Sequence, residues 1–270
     1  MTRHTQQCGF TLIEMIVVIV ITGIIGGMVA MFIRAPVQGY VDSSNRAEMG
    51  DIADIALRRL ARDIRTSVPN SVRMPATNCV AAVAAPCYVE FLPTRTGGRY
   101  RAAAPGNVLN FGVLDGDFDI VGSPVTFEAG DYIVIGSTQS DGNPPYNTGG
   151  TGILRRYTGV AGAQATVTFT STALPVWAEV PGQRFDVVPG DQQAVTYACL
   201  NVGTSGGEGT GTLTRYWAYS FNTTQIVPPG GSTAVLADRV SACEINYDLT
   251  SQRHGLVAIR LGITRGGESI

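Results

Sequence analysis

From Met15 to Ile33 the chain runs for 19 residues without a charge. About 20 apolar residues in a helix span the hydrocarbon core of a bilayer, so this stretch is expected to be a membrane helix. Thr22 and the glycines at 23, 26 and 27 do not disqualify it, because glycine is common in spanning helices. Gly23 and Gly27 stand in G-x-x-x-G spacing, which lets a second helix approach closely. A secretory signal would place a small-residue cleavage site after the apolar stretch. Arg34-Ala35-Pro36 is a poor one, and the small residue Gly9 lies on the other side of the run. Arg3 precedes the span, which places residues 1–9 in the cytoplasm and the bulk of the chain outside; Arg34 weakens that bias.

The rest of the composition is mainly restrictive. The chain has 270 residues, a formal net charge of −2, and arginine as its whole basic complement, with no lysine. A nucleic-acid surface needs a basic excess, and lysine-dependent catalysis needs a lysine. Neither is available, and His4 and His254 are too few for a histidine-rich site. Thirty-three glycines and 14 prolines favour strands and turns over a helical bundle.

Past the apolar run, Pro36 and Gly39 are expected to kink or interrupt the helix. Apolar residues then recur at steps of three and four (Met49, Ile52, Ala53, Ala56, Leu60, Ala61, Ile64), the mark of an amphipathic helix. Arg58, Arg59, Arg62 and Arg65 fall mostly between them as a solvated face, Asp54 and Arg58 make a favourable i,i+4 pair, and Pro69 is expected to close the helix. After it the pattern is β, with candidate strands at 88–92, 108–111, 132–136, 166–170, 185–188, 193–200, 213–221, 234–240, 243–248 and 255–264. The turn-rich stretch 94–165 reads as decoration on a smaller core. The expected organisation is a leader at 1–9, a transmembrane helix at 10–35, an amphipathic helix at 36–69 and a β-rich globular domain at 70–270, an α+β chain with antiparallel sheets.

Catalytic and metal motifs are weak. Gly203-Thr204-Ser205-Gly206-Gly207 has G-x-S-x-G spacing, but a nucleophile elbow needs strand, turn and helix; here glycines and a strand follow, so a loop is expected. Asp115, Asp117 and Asp119 occupy the first odd positions of a calcium loop, yet Ile120 and Thr126 stand where glycine and glutamate belong. A polar β-turn is the expectation, with calcium in another arrangement as the alternative. No cofactor and no catalytic residue is expected.

Gly9-Phe10-Thr11-Leu12-Ile13-Glu14, followed by the apolar run, resembles the signature of type IV prepilins and type II secretion pseudopilins. That resemblance implies cleavage after Gly9 by a membrane prepilin peptidase, methylation of Phe10 by the same enzyme, and a Glu14 carboxylate that meets the α-amine of Phe10 in a neighbouring subunit. It also implies a pilin-like fold, a long N-terminal helix packed on β-sheets. Residues 58–65 with 68–72 resemble the helix exit of minor pilin-like proteins, and the tail 236–261 resembles the last strands of the J-type minor pseudopilins of type II secretion; among pilus systems the likeness is to the MshO-type minor pilins of the mannose-sensitive haemagglutinin (MSHA) pilus. The expected function is that of a minor structural subunit in a pilus tip or initiation complex. A minor pseudopilin of type II secretion and a tip adhesin or ligand-binding module are the alternatives. The implied partners are the prepilin peptidase, other major and minor pilins, the inner-membrane assembly platform and the membrane itself. The implied location is the inner membrane, single-pass, with the C-terminal domain in the periplasm and then in the pilus.

Loss of the leader would remove Cys8 and leave Cys79, Cys87, Cys199 and Cys243 in an oxidising compartment, an even number that argues for disulfides. Four cysteines allow three connectivities. Cys79–Cys87, closing a short loop, and Cys199–Cys243, joining two late strands, are the expected pair.

Overall fold

The computed structural model describes residues 10–76, 78–138, 145–248 and 256–270. By internal contacts the chain falls into two compact units, Met1–Glu48 and Met49–Ile270. One helix, α1, runs from Leu12 to Arg65 and contributes to both.

The interruption expected at Pro36 and Gly39 does not occur. Pro36 lies inside α1. A proline removes one rung of the i→i−4 ladder, and the turns on either side carry the helix past it. The helix also stops before Pro69. The Thr66 hydroxyl donates to the Arg62 carbonyl at 3.0 Å and the Ser67 hydroxyl to the Ile64 carbonyl at 2.7 Å. These side chains satisfy last-turn carbonyls that the helix cannot.

In the larger unit, the amphipathic stripe of α1 lies on a seven-stranded antiparallel sheet. Met49, Ala56 and Leu60 are buried with Phe91, Tyr197, Val240 and Ile245, and Ile52, Ala53 and Ile64 pack at the margin. Full burial of each large side chain in that stripe contributes roughly 1.5–3 kcal/mol. The strands run in the order Glu268–Ser269, Leu256–Arg265, Ser232–Asp248, Gly211–Tyr219, Ala194–Leu200, Cys87–Phe91, with Asn78–Val80 pairing on Ser232–Asp248. The two strands expected at 234–240 and 243–248 are one, bent at a register shift between Val240 and Ala242.

A second, four-stranded sheet holds Thr96–Arg99, Arg184–Val188, Tyr132–Ile135 and Leu154–Arg156. It shares a core with the ribbon of Leu114–Asp119 and Thr166–Ala173, in which Tyr100, Phe118, Phe127, Phe169 and Phe185 are buried. Residues 94–165 are therefore not decoration, because they supply much of this core. The strand expected at 108–111 is absent; Phe111 makes only an isolated bridge to Leu174. Asp115, Asp117 and Asp119 lie on a strand, not in a turn.

Two networks tie the layers together. The Tyr197 hydroxyl donates to Asp63 at 2.7 Å, and Arg215 Nε reaches the same carboxylate oxygen at 3.3 Å, which fastens the end of α1 to two sheet strands. Nearby, Arg73 Nε donates to the buried Glu90 at 2.9 Å, while its Nη atoms hold the carbonyls of Asn222 and Thr223, each at 2.8 Å. The Arg73 guanidinium sits 3.5 Å from the centre of the Tyr146 ring. Burial pushes the Glu90 carboxyl up, and Arg73 opposes the shift. Disulfides join Cys79 to Cys87 and Cys199 to Cys243, the expected connectivity.

Paired Cys→Ala replacement at Cys199 and Cys243, which close a separation of 44 residues, is expected to cost about 4 kcal/mol in urea unfolding of the full chain in detergent, against about 2.5 kcal/mol for Cys79 and Cys87 across 8 residues. An acid whose folded pKa is raised stabilises the fold below its unfolded value, about 4.3 for glutamate, and loses that contribution as pH rises through the folded value. Glu90→Gln is therefore expected to gain on the parent chain as pH rises from 4 to 7, read from urea midpoints at each pH.

Candidate assembly helix

The motif residues lie at the start of α1. Gly9 falls outside the described residues, as do Arg3, His4 and Cys8. Phe10 and Thr11 precede the first helical residue, Leu12. The Glu14 backbone N–H donates to the Thr11 hydroxyl at 3.3 Å and to the Thr11 carbonyl at 3.1 Å. Thr11 thus caps the helix, and Thr11-Leu12-Ile13-Glu14 has the T-x-x-E spacing of a capping box. The T-x-x-E spacing is itself the sequence signal for this cap. The cap starts the helix at a defined residue and puts the Glu14 carboxylate in the first turn, where the unpaired backbone N–H groups favour negative charge.

Beyond the cap the helix is apolar on all sides and unburied. Phe10 is 79% exposed, and Leu12, Ile16, Ile19, Ile24, Met28 and Phe32 are exposed with it. The N-terminal part of α1 is long and apolar enough to cross a membrane, and none of its most apolar stretch is buried within the protein. A helix that is hydrophobic all round needs lipid or other helices as its solvent. Thr22 does not disturb this surface, since its hydroxyl bonds back to the carbonyls of Val18 and Ile19. A side chain built at Gly23, Gly26 or Gly27 would meet nothing within 4 Å, so these positions leave a shallow bare strip of backbone.

Alternative chemistry finds little support in the described residues. Ser205 lies in a hairpin of Thr204–Ser205 with Glu208–Gly209, turned by Gly206 and Gly207 at φ +59° and +82°. That is strand–turn–strand, whereas a nucleophile elbow needs a helix after the turn. His254 lies outside the described residues. Two of the three carboxylates at 115–119 are occupied internally: Asp115 accepts the backbone N–H of Asn110 at 2.7 Å, and Asp119 accepts that of Asn107 at 2.9 Å. The Asn107 N–H, with the Thr166 hydroxyl second, holds the Asp119 carboxyl below the usual carboxylate range. Among the described residues no group of three His, Cys, Asp or Glu is placed to hold a metal ion.

The aromatics Trp217, Tyr219 and Phe221 of the late strands are half-buried against the cores. Exposed Arg58 pairs with Asp54 at 2.6 Å, the expected i,i+4 contact. Asp63 leaves the solvated face to meet Tyr197 and Arg215.

Residues 4–32 match the family described as the prokaryotic N-terminal methylation motif. No curated protein and no solved structure matches the chain.

An arginine at the middle of a spanning helix costs about 3 kcal/mol on insertion scales. Ile21→Arg is therefore expected to lower the fraction of the chain that resists alkaline carbonate extraction of membranes, while Tyr40→Arg leaves that fraction unchanged.

Proposed function

We propose that this chain, which carries the N-terminal methylation motif of type IV pilin-like proteins, is a minor structural subunit of an MSHA-like type IV pilus, acting in its tip or initiation complex. The observation that carries the reading is the motif match at residues 4–32, placed on a helix whose outer surface is apolar all round. The prepilin peptidase cuts after Gly9 and methylates the new N-terminus at Phe10. Before that step the chain is held in the inner membrane, with its C-terminal domain in the periplasm.

Assembly follows from the properties of α1. The Glu14 carboxylate costs several kcal/mol if left unpaired in lipid, and the α-amine of a neighbouring subunit's Phe10 cancels both charges. The bare strip at Gly23 and Gly27 allows close approach of another helix, which replaces lipid contacts with packing. Other pilins and an inner-membrane assembly platform are the partners this requires. The chain's contribution is structural, with no catalytic step and no cofactor. The oxidising periplasm suits the two disulfides, which use the four cysteines left once Cys8 departs with the leader. The size of the Met49–Ile270 unit favours a pilus over a secretion pseudopilus.

The test is intact-mass and N-terminal peptide mass spectrometry on membranes with and without co-expressed prepilin peptidase. A chain beginning at methylated Phe10 only when the peptidase is present is the expected result. A chain that still begins at Met1 in its presence, or is cut after Ile33, would sink the proposal.

A further inference from the structure

The seven-stranded sheet ends on the strand Leu256–Arg265, and most of that strand's outer edge has no partner among the described residues. Its inner edge pairs with Ser232–Asp248 from Leu256 to Ile263. On the outer side Glu268–Ser269 faces only Thr264 and Arg265, and next to it Ile263 and Ile270 exchange N–H···O bonds at 3.2 and 3.1 Å. Backbone groups along an antiparallel strand alternate between its two neighbours. Because Ile263 bonds outward, Leu261, Ile259 and Val257 also direct their N–H and C=O groups outward, where none of the described residues meets them. Folded proteins blunt such an edge with proline, a bulge or charge, or keep it short. From 256 to 262 the sequence is Leu-Val-Ala-Ile-Arg-Leu-Gly, with no proline and one charge, and no bulge interrupts its register.

The two faces beside this edge differ in chemistry. On the α1 side, Val257, Ile259 and Leu261 pack at the margin of the core. A groove of about 430 Å³ opens there, lined by Leu57, Ala61, Ile64 and Arg65 of α1 with Val257 and Ile259. On the opposite face Ala258 and Arg260 are exposed, beside Glu244 and Asn246. Among the described residues Arg260 makes no ion pair, although Glu244 stands opposite it in the register.

We infer that this edge docks an extended segment of another protein, antiparallel to Leu256–Arg265 and in line with Glu268–Ser269, with apolar residues at alternate positions and a carboxylate between two of them. The unpaired N–H and C=O groups call for a strand, since a helix spends its own backbone groups internally. Directly opposed residues share a face of the sheet. Partner residues opposite Leu261, Ile259 and Val257 therefore lie on the α1 side, where apolar side chains cover the groove. The residue opposite Arg260 lies on the other face, where a carboxylate meets an unpaired cation. No residue from 256 to 262 is acidic, so a second copy using the same edge supplies no carboxylate in any register. The edge lies wholly within the Met49–Ile270 unit, and its use does not depend on what surrounds the apolar part of α1.

The experiment is hydrogen exchange on the full chain in detergent, read on proteolytic fragments that cover residues 256–262. The probe is the heptapeptide Thr-Val-Glu-Val-Thr-Val-Thr, fused directly after Ile270 in one sample and added free at millimolar concentration in another. Fused, it continues the line of Glu268–Ser269 and faces Gly262 to Leu256 in order, and linkage makes weak pairing measurable. The amides of Val257, Ile259 and Leu261 are expected to exchange fast in the parent chain and to slow several-fold with either form of the probe. A fused Gly-Ser tail of equal length is expected to leave them fast. Arg260→Glu is expected to weaken protection by the heptapeptide, and a heptapeptide with lysine in place of its glutamate is expected to restore it, which a folding defect would not do. No protection, protection confined to the fused form, equal protection by the Gly-Ser tail, or indifference to Arg260→Glu would overturn the inference. So would a dimer of the parent chain, seen by sedimentation, that the fused heptapeptide dissociates, because a second copy would then hold the edge.

Discussion

Burial of one stripe of α1 against the seven-stranded sheet is the contact on which the larger unit depends. Met49, Ala56 and Leu60 provide the apolar part, and Asp63 with Tyr197 and Arg215 provides the polar stop at the helix end. The Tyr197 hydroxyl is raised well above its usual range, chiefly by burial and then by the Asp63 carboxylate, so it stays a donor at any physiological pH. Without this contact the inner face of the sheet would lack its cover. The same helix continues toward its N-terminus as a surface that none of the described residues covers. One element thus meets two solvents, and the change falls where charged residues resume after Arg34.

Local chemistry was the legible part. The apolar run, the amphipathic spacing from Met49 to Ile64 and the Asp54–Arg58 pair all follow from periods and charges inside short windows. The strands at 193–200 and 213–221 were readable within a residue or two, because alternation and glycine turns bound them. What failed depended on distant partners. Local propensity at Pro36 and Gly39 points to a kink or an interruption, and the interruption is overridden by a helix that continues on both sides. The 94–165 stretch was read as decoration because its strands are short and glycine-rich, although Phe118 and Phe127 find their core only with Phe169 and Phe185.

The candidate site divides in the same way. Phe10, Glu14 and the two glycines announce themselves through a motif and a spacing. Thr11 is equally visible in T-x-x-E. Asp63 stands among the solvated arginines in sequence, and nothing near it indicates Tyr197, 134 positions away. Glu90 and Arg73 are an ordinary acid and base until the fold encloses them beneath the Asn222–Thr223 backbone.

The Cys199–Cys243 bridge has a mechanical meaning. A pull that reaches the body through α1 passes by way of Asp63 to the strand Ala194–Leu200, and that strand is tied covalently to Ser232–Asp248. A sheet held by hydrogen bonds alone peels one rung at a time under tension. Here the 44-residue separation is short-circuited, so about 150 Å of contour is withheld from extension. Past the strand Gly211–Tyr219 the link is therefore a covalent bond, and the chain between the two cysteines adds no length while it holds.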